Sequence, residues 1–440
     1  MEDLLEKYRR IINSTDIIKV NGRVVDVIGL VIISLGPNVA LGEICIIKDK
    51  SGFEVCKCEV VGFKEGKVLS IAIGEVQKIS PACEIIATGR TSMVGVGEAL
   101  LGRVIDGLGN PMDGKGEINF EAFRSIYREP PSPLERERIT RPLQTGVRAI
   151  DGLLTCGRGQ RIGIFAGSGV GKSVTLGMIA RNTNADVNVI SLIGERGREV
   201  REFIEKDLGE EGLKRSVIVV ATSDKSALIR IKGAYIATTI AEYFRDMGKD
   251  VVLMMDSVTR FAMAQREIGL TIGEPPTTKG YTPSVFAILP KLLERAGCSD
   301  KGSITGFYTV LVDGDDMTEP IADAVRSILD GHIVLSRKIA NKGQFPAIDP
   351  LQSISRVMSD ITTADHRKRA LNFNEILSTY KEAEDLINIG AYVRGSNPQI
   401  DHALSKINLL RSFLVQDMNE KAIYSETVNR LKSIIDAPLT

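Results

Sequence analysis

The chain has 440 residues, which at about 150 residues per domain points to about three domains. Apolar residues make up 43% and charged residues 25%, a balance that supports a sizeable core and excludes disorder by composition. Lys plus Arg and Asp plus Glu number 56 each, so the net charge is zero; with no Trp and 5% aromatics, this argues against a general polyanion binder and against a stacking surface for bases.

Residues 1–16 read as a short amphipathic helix, with Leu4, Leu5, Tyr8, Ile11 and Ile12 at helical spacing among charges. Such a helix either packs on its own domain or docks a partner. Met1-Glu2-Asp3-Leu4 lacks the basic-then-apolar order of a signal peptide. Residues 17–90 change character. Short β-branched runs are punctuated by Asn21-Gly22, Gly36-Pro37-Asn38, Ser51-Gly52 and Lys64-Glu65-Gly66, a spacing that predicts a small closed β-barrel. The longest apolar run, 27–35, is about half a membrane span. The expectation is therefore a cytosolic protein that meets a membrane only through partners. Cys45, Cys56, Cys58, Cys83, Cys156 and Cys298 are scattered, and Cys56-Lys57-Cys58 is too tight for a zinc pair, so all six read as reduced packing residues.

Residues 91–360 form the next block. A Gly-rich passage, Leu101–Gly109, and the Pro-rich Glu129–Pro133, read as an extended connection, come first. From Arg161 onward apolar strands alternate with helical text. Strands are expected at Ile162–Ala166, Val187–Leu192, Val217–Thr222, Val251–Met255 and Tyr308–Val312, with helices at Lys172–Asn182, Arg198–Leu208 and Ser226–Arg245. This alternation predicts an α/β core with a mostly parallel sheet covered on both faces. Residues 361–440 are helical, broken at Gly395 to Pro398.

The sharpest motif is Ala166-Gly167-Ser168-Gly169-Val170-Gly171-Lys172-Ser173, placed after a strand and opening a helix that continues with Val174. Glycines let backbone N–H groups wrap a polyphosphate, and the helix start adds partial positive charge. Lys172 is expected to reach the β- and γ-phosphates and the Ser173 hydroxyl to ligate Mg²⁺. Ala166 stands where the usual pattern has Gly. Asp256, at the tip of the apolar run Val251–Met255, is a second candidate for Mg²⁺. Gly194-Glu195-Arg196 follows another strand. Glu195 is the candidate to orient water against the γ-phosphate, and Arg196 the candidate to bind that phosphate; Glu199 reads as a helix-capping ion pair. His332, His366 and His402 are far apart and read as surface or structural residues; the basic run His366–Arg369 reads as a solvated helix face, with a docking patch for an acidic partner as the sharper option.

The cradle, Gly194-Glu195-Arg196, Met255–Arg260 and Ser353-Ile354-Ser355-Arg356 together resemble the catalytic subunits of rotary ATPases. Leu101–Gly109, Thr145–Asp151, Gly273–Tyr281 and Leu329–Arg337 are similar to the branch of export ATPases of flagellar and type III secretion systems. The similarity runs from about Ile17 onward. It implies a multidomain chain with an N-terminal β-barrel, a RecA-like P-loop core and a C-terminal helical domain, assembled as a homo-hexamer with ATP and Mg²⁺ at subunit boundaries. It also implies that Arg356 reaches a neighbour's nucleotide, that Phe345 packs against adenine, and that the loop Val312–Glu319 faces a central stalk protein. Further implied partners are a stator-like regulatory protein at the N-terminus, export chaperones, cargo and the export gate, with no nucleic acid, at an export apparatus on the inner membrane. In place of the acidic Asp-Glu-Leu-Ser-Glu-Glu-Asp motif of the ATP-synthase catalytic subunit, the chain carries Gly390–Pro398, as export ATPases do. The resemblance leans to the flagellar branch, with the injectisome enzymes and a non-catalytic nucleotide-binding ring subunit as alternatives. A hexameric RNA translocase is disfavoured by the neutral charge.

Overall fold

A computed structural model describes residues 21–74, 79–81, 83–312, 314 and 316–437. The expected helix at 1–16 lies outside these residues, as do Asp313 and Asp315 of the loop expected to face a stalk. The chain divides into two compact units, the first built on the barrel and the second on the remaining domains.

The barrel has six strands: β1 Gly22–Ile28, β2 Val31–Leu35, β3 Glu43–Lys48, β4 Glu54–Lys64, β5 Lys67–Ile73 and β6 Glu84–Thr91. They close in the order β1-β2-β5-β4-β3-β6. The β4–β5 hairpin shows why the sequence turns there. Lys64 pairs with Lys67, leaving a two-residue loop in which Glu65 (φ 52°) and Gly66 (φ 73°) both take left-handed geometry. That is the turn whose twist matches the strands it joins. Alternation then sends Cys56 and Cys58 inward together, and Cys58 pairs across from Cys45 in a core shared with Ile32, Ile47 and Ile85. All six cysteines are free thiols.

The second unit holds a sheet of β7 Arg103–Asp106, β8 Arg161–Ala166, β9 Val187–Ile193, β10 Ser216–Ala221, β11 Asp250–Asp256, β12 Ser303–Leu311, β13 Gly331–Leu335 and β14 Ile354–Ser355. The order is β14-β13-β8-β12-β11-β9-β10-β7, parallel except at β14, and Gly297–Cys298 adds an antiparallel bridge to β12. β9, β10 and nearly all of β11 are buried along their length, as strands covered on both faces must be. β7, β13 and β14 are additions to the five strands expected from periodicity; each is short and lacks an extended apolar run. Helix α1 spans Arg148–Leu153, α2 Lys172–Asn182 and α3 Ala227–Asp246, the last packed on β9, β10 and β11.

A fully buried ion pair staples α3 to the strand region beyond it. The Arg295 guanidinium donates to both Glu242 carboxylate oxygens at 2.8 Å, to the Thr239 hydroxyl and to the Ile126 carbonyl, and both side chains are at most 2% exposed. Removing Arg295 leaves the buried Glu242 carboxylate with only the more exposed Arg128, 3.4 Å away, at a cost of up to about 3–5 kcal/mol. Arg295→Met is therefore expected to lower the urea-unfolding midpoint sharply, whereas Arg198→Met, on a surface pair, leaves it nearly unchanged. Equal midpoints for the two variants would contradict this account.

The C-terminal helices are α4 Ala364–Asn388, α5 Pro398–Leu414 and α6 Tyr424–Asp436. Thr363 caps α4 through the His366 N–H, and Asn397 caps α5 through the Gln399 and Ile400 N–H groups, with Pro398 at the first helical position. Phe373 and Phe413 meet in their core with centroids 5.5 Å apart. The buried Lys406 ammonium donates to the carbonyls of Ile434, Ile435 and Ala437, closing the end of α6. The basic run 366–369 is less solvated than expected. His366 is buried with a ring nitrogen 2.7 Å from the Gly152 carbonyl, and Arg369 pairs with Asp365 and Asp436. No helix of the described residues is long and apolar enough to cross a membrane.

Candidate nucleotide site

The site gathers at the carboxyl ends of β8, β9 and β11, where an open parallel sheet places its ligands. At the tip of β8, Ala166 pairs with Leu311 on one side and Leu335 on the other and is fully buried. It is still sheet, so a methyl group fits there, which explains the tolerated departure from glycine. The loop proper then runs Gly167–Gly171. Gly169 (φ 77°) and Gly171 (φ 84°) take the left-handed conformation that turns successive N–H groups inward, and a Cβ on Gly169 would meet only open space. Glycine is needed there for its dihedral and for the volume kept clear. Val170, 1% exposed, anchors the loop from below, while Ser168 lies exposed at its crest. Gly171 caps α2, whose first residues Lys172, Ser173 and Val174 are half-buried.

Lys172 is the hub. Its Nζ lies 2.5 Å from Asp256 Oδ1 and 3.3 Å from Glu195 Oε1. Burial works against its charge, but the two carboxylates outweigh that and hold the ammonium above its ordinary value. Asp256 is buried, and the Thr309 hydroxyl on β12 donates to its Oδ1 at 2.7 Å. Glu195 is also buried; desolvation pushes its carboxyl above the ordinary carboxylate value even though Lys172 and Arg260 pull it down. Gly194 ahead of it has φ 71°, and a Cβ there would stand 2.9 Å from the Arg260 Cβ, so the strand exit accepts only glycine beneath that arginine.

Phe345 stands beside the loop, its ring 3.6 Å from where a Gly171 Cβ would be. It is 46% exposed, and its carbonyl accepts from the Gln416 N–H at 3.0 Å. Arg196 is placed elsewhere. Its side chain is 79% exposed and lies 3.5 Å from Glu199, so within one protomer it does not join Lys172 and Glu195. Arg356 is excluded from its own site by register. It follows Ser355, which pairs with Gly331 at the start of β13, whereas the loop starts at Ala166, opposite Leu335 at the other end. A strand of this length separates them by about 13 Å at 3.3 Å per residue. Arg356 is exposed, its N–H bonded to the Asp330 carbonyl.

Thr309, Arg260 and Gln416 belong to the site and were not among the residues singled out from sequence. Arg260 ends Met255–Arg260, one of the stretches that resemble rotary ATPases, and that position is its one signal in the sequence. Thr309 sits inside an apolar strand and Gln416 lies 71 residues beyond Phe345 in the chain; neither has a local signature.

A loop of this geometry, with a lysine between two buried carboxylates at the ends of a parallel sheet, defines a P-loop nucleotide-binding protein. Residues 146–355 match the nucleotide-binding domain model of the ATP synthase alpha/beta family, residues 17–89 the beta-barrel domain model of that family, and residues 362–433 the T3SS EscN ATPase C-terminal domain. The chain is 60% identical to the flagellum-specific ATP synthase of Bacillus subtilis (strain 168), covering 96% of this chain and 97% of that one. It is 52% identical to the type 3 secretion system ATPase of Xanthomonas euvesicatoria over 94% of each. Among solved structures, the assembled ATPase EscN from the enteropathogenic E. coli type III secretion system superposes with a TM-score of 0.89 at 47% identity, over 94% of this chain and 100% of that one. EscN has also been solved in complex with its central stalk EscO, with a TM-score of 0.86. The chain belongs to the ATP synthase alpha/beta family, in the branch of flagellum-specific ATP synthases and type III secretion ATPases.

Proposed function

We propose that this protein hydrolyses ATP to energise protein export by a flagellar type III apparatus, working as a ring of six copies. The observation that carries the reading is Lys172 held between Glu195 and Asp256 at the mouth of the glycine loop. A triphosphate arriving in the loop competes for that ammonium. Loop N–H groups and the start of α2 take the β-phosphate, and Lys172 swings its charge from the carboxylates to the β- and γ-oxygens. Glu195 is then released to face the attacking water. Water adds to the γ-phosphorus, its proton passes to the Glu195 carboxylate, and the bond to the bridging oxygen breaks to leave ADP and phosphate. The Ser173 hydroxyl and the Asp256 carboxylate are oxygen donors of the kind Mg²⁺ prefers; they would hold the ion, and it would supply charge neutralisation for the phosphates.

Arg356 would complete the site from the next subunit, and Phe345 would pack on adenine. Arg196 would contribute only after turning in from Glu199. The relative's stalk complex and the assembled EscN support a ring with a stalk in its pore. A stator-like protein at the N-terminus, chaperones, cargo and the export gate are the further partners proposed, with the protein cytoplasmic and held at the inner membrane through them. The flagellar reading is favoured by identity, 60% against 52% for the secretion ATPase above.

The test is hydrolysis by the full chain. Phosphate release is expected to require Mg²⁺, to stop on chelation and to be indifferent to added RNA. Hydrolysis stimulated many-fold by RNA would replace export with nucleic-acid translocation.

A further inference from the structure

The segment carrying Phe345 is gripped at both ends by one face of α4. Upstream, the Lys342 ammonium donates to both oxygens of Glu384 at 2.9 Å. Downstream, the Lys381 ammonium donates to both oxygens of Asp349, at 3.2 and 3.1 Å. Lys381 and Glu384 are three residues apart and so neighbours on one helical face. They present plus and minus to a segment that offers minus and plus.

The two pairs differ in weight. Lys342 is 61% exposed and its pair is a weak surface contact. The Asp349 carboxylate is 4% exposed and also accepts from the Leu351 N–H and the Gln352 amide. Backbone bonds fix Asp349 to Val334 of β13 and Ala347 to Ser336 just past it, so this end of the segment is held on the sheet. Phe345 itself is tied through its carbonyl to the Gln416 N–H, just past α5. The ring over Gly171 is thus positioned by the sheet on one side and the helical domain on the other, and of the two ion pairs that α4 makes with this segment the Lys381–Asp349 pair is the more buried.

We propose that Lys381 is a positioning residue for the nucleotide. Through Asp349 it docks α4 against the Phe345 segment and sets the height of the ring over the loop. This rests on the reading of Phe345 as the base platform. Movement of α4 relative to the sheet then changes nucleotide affinity through this contact.

The chain has no Trp, so Phe345→Trp supplies a single fluorophore at the platform. Titrating the full-length Phe345→Trp protein with MgADP should change its emission. Adding Lys381→Met, which keeps the aliphatic stem, should raise the MgADP dissociation constant about tenfold. Lys381→Arg in the same background should restore it to within about twofold, and Lys381→Met without the reporter should raise KM for ATP with kcat nearly unchanged. Unaltered titration and KM in Lys381→Met, with an emission change still present in Phe345→Trp alone, would overturn the positioning role and leave the platform standing. No response of the introduced indole to nucleotide in any background would overturn both. A lowered unfolding midpoint without a shift in either constant would assign Lys381 to stability and remove it from the site.

Discussion

Glu195→Gln is expected to leave the protein folded and able to hold ATP while cutting turnover at least about 100-fold, the lower end of what a positioned base contributes. The amide keeps the shape of the carboxyl but takes no proton. The site's geometry makes the experiment specific, because the substitution removes one ion pair from Lys172 while Asp256 still holds the lysine at 2.5 Å. The loop is therefore not left with an orphaned cation. Lys172→Ala fails differently. It deprives two buried carboxylates of their shared counter-charge and removes the main cation for the phosphates, so both binding and turnover are lost. Measuring MgATP binding beside phosphate release separates the two outcomes. Wild-type turnover in Glu195→Gln would remove that residue from its assigned role.

The pH profile gives an independent check. The Glu195 carboxyl is raised by burial in the free protein, and it must be ionised to accept a proton. The kcat/KM profile reports groups of the free enzyme, so its acid limb is expected above the ordinary carboxylate range. Activity falls as pH drops through the raised value. The residual activity of Glu195→Gln should lack that limb.

How much of this could be read from the sequence depends on the distance over which each residue acts. The loop from Ala166 to Ser173 was legible because strand, glycines, lysine and helix are contiguous and each has a local physical reason. Five strands and the barrel's turns were legible for the same cause, as with Glu65-Gly66. Asp256 was legible as an acid ending a buried run, yet its Thr309 partner was not, because Thr309 acquires its role only when β12 is threaded between β8 and β11. Arg196 shows the opposite limit. Adjacency to Glu195 suggested a shared task, but a turn into the following helix aims neighbouring side chains apart, and the arginine ends 79% exposed. Lys381 and Asp349 lie 32 residues apart on elements with no joint signature, so their contact needed coordinates.

Arg356→Ala is expected to reduce turnover by about 10³-fold or more while nucleotide binding persists, the effect of withdrawing a cation from the transferring phosphoryl group. Arg356 sits beside Gly331, at the end of β13 remote from Ala166, so it cannot reach the loop of its own chain without unpairing the sheet. It is also exposed and free to meet another copy. If the site is shared, activity depends on assembly, and specific activity should climb as protein concentration rises. Two inactive variants should then rescue one another. In an equal mixture of Arg356→Ala and Lys172→Ala, random assembly of rings pairs an intact loop with an intact arginine at up to about a quarter of boundaries. Recovery of hydrolysis on mixing requires that the two residues act from different chains. Flat specific activity across dilution, together with silence on mixing, would mean that Arg356 serves the fold of its own subunit and that the catalytic cation comes from elsewhere, with Arg260, already beside Glu195, the first residue to substitute.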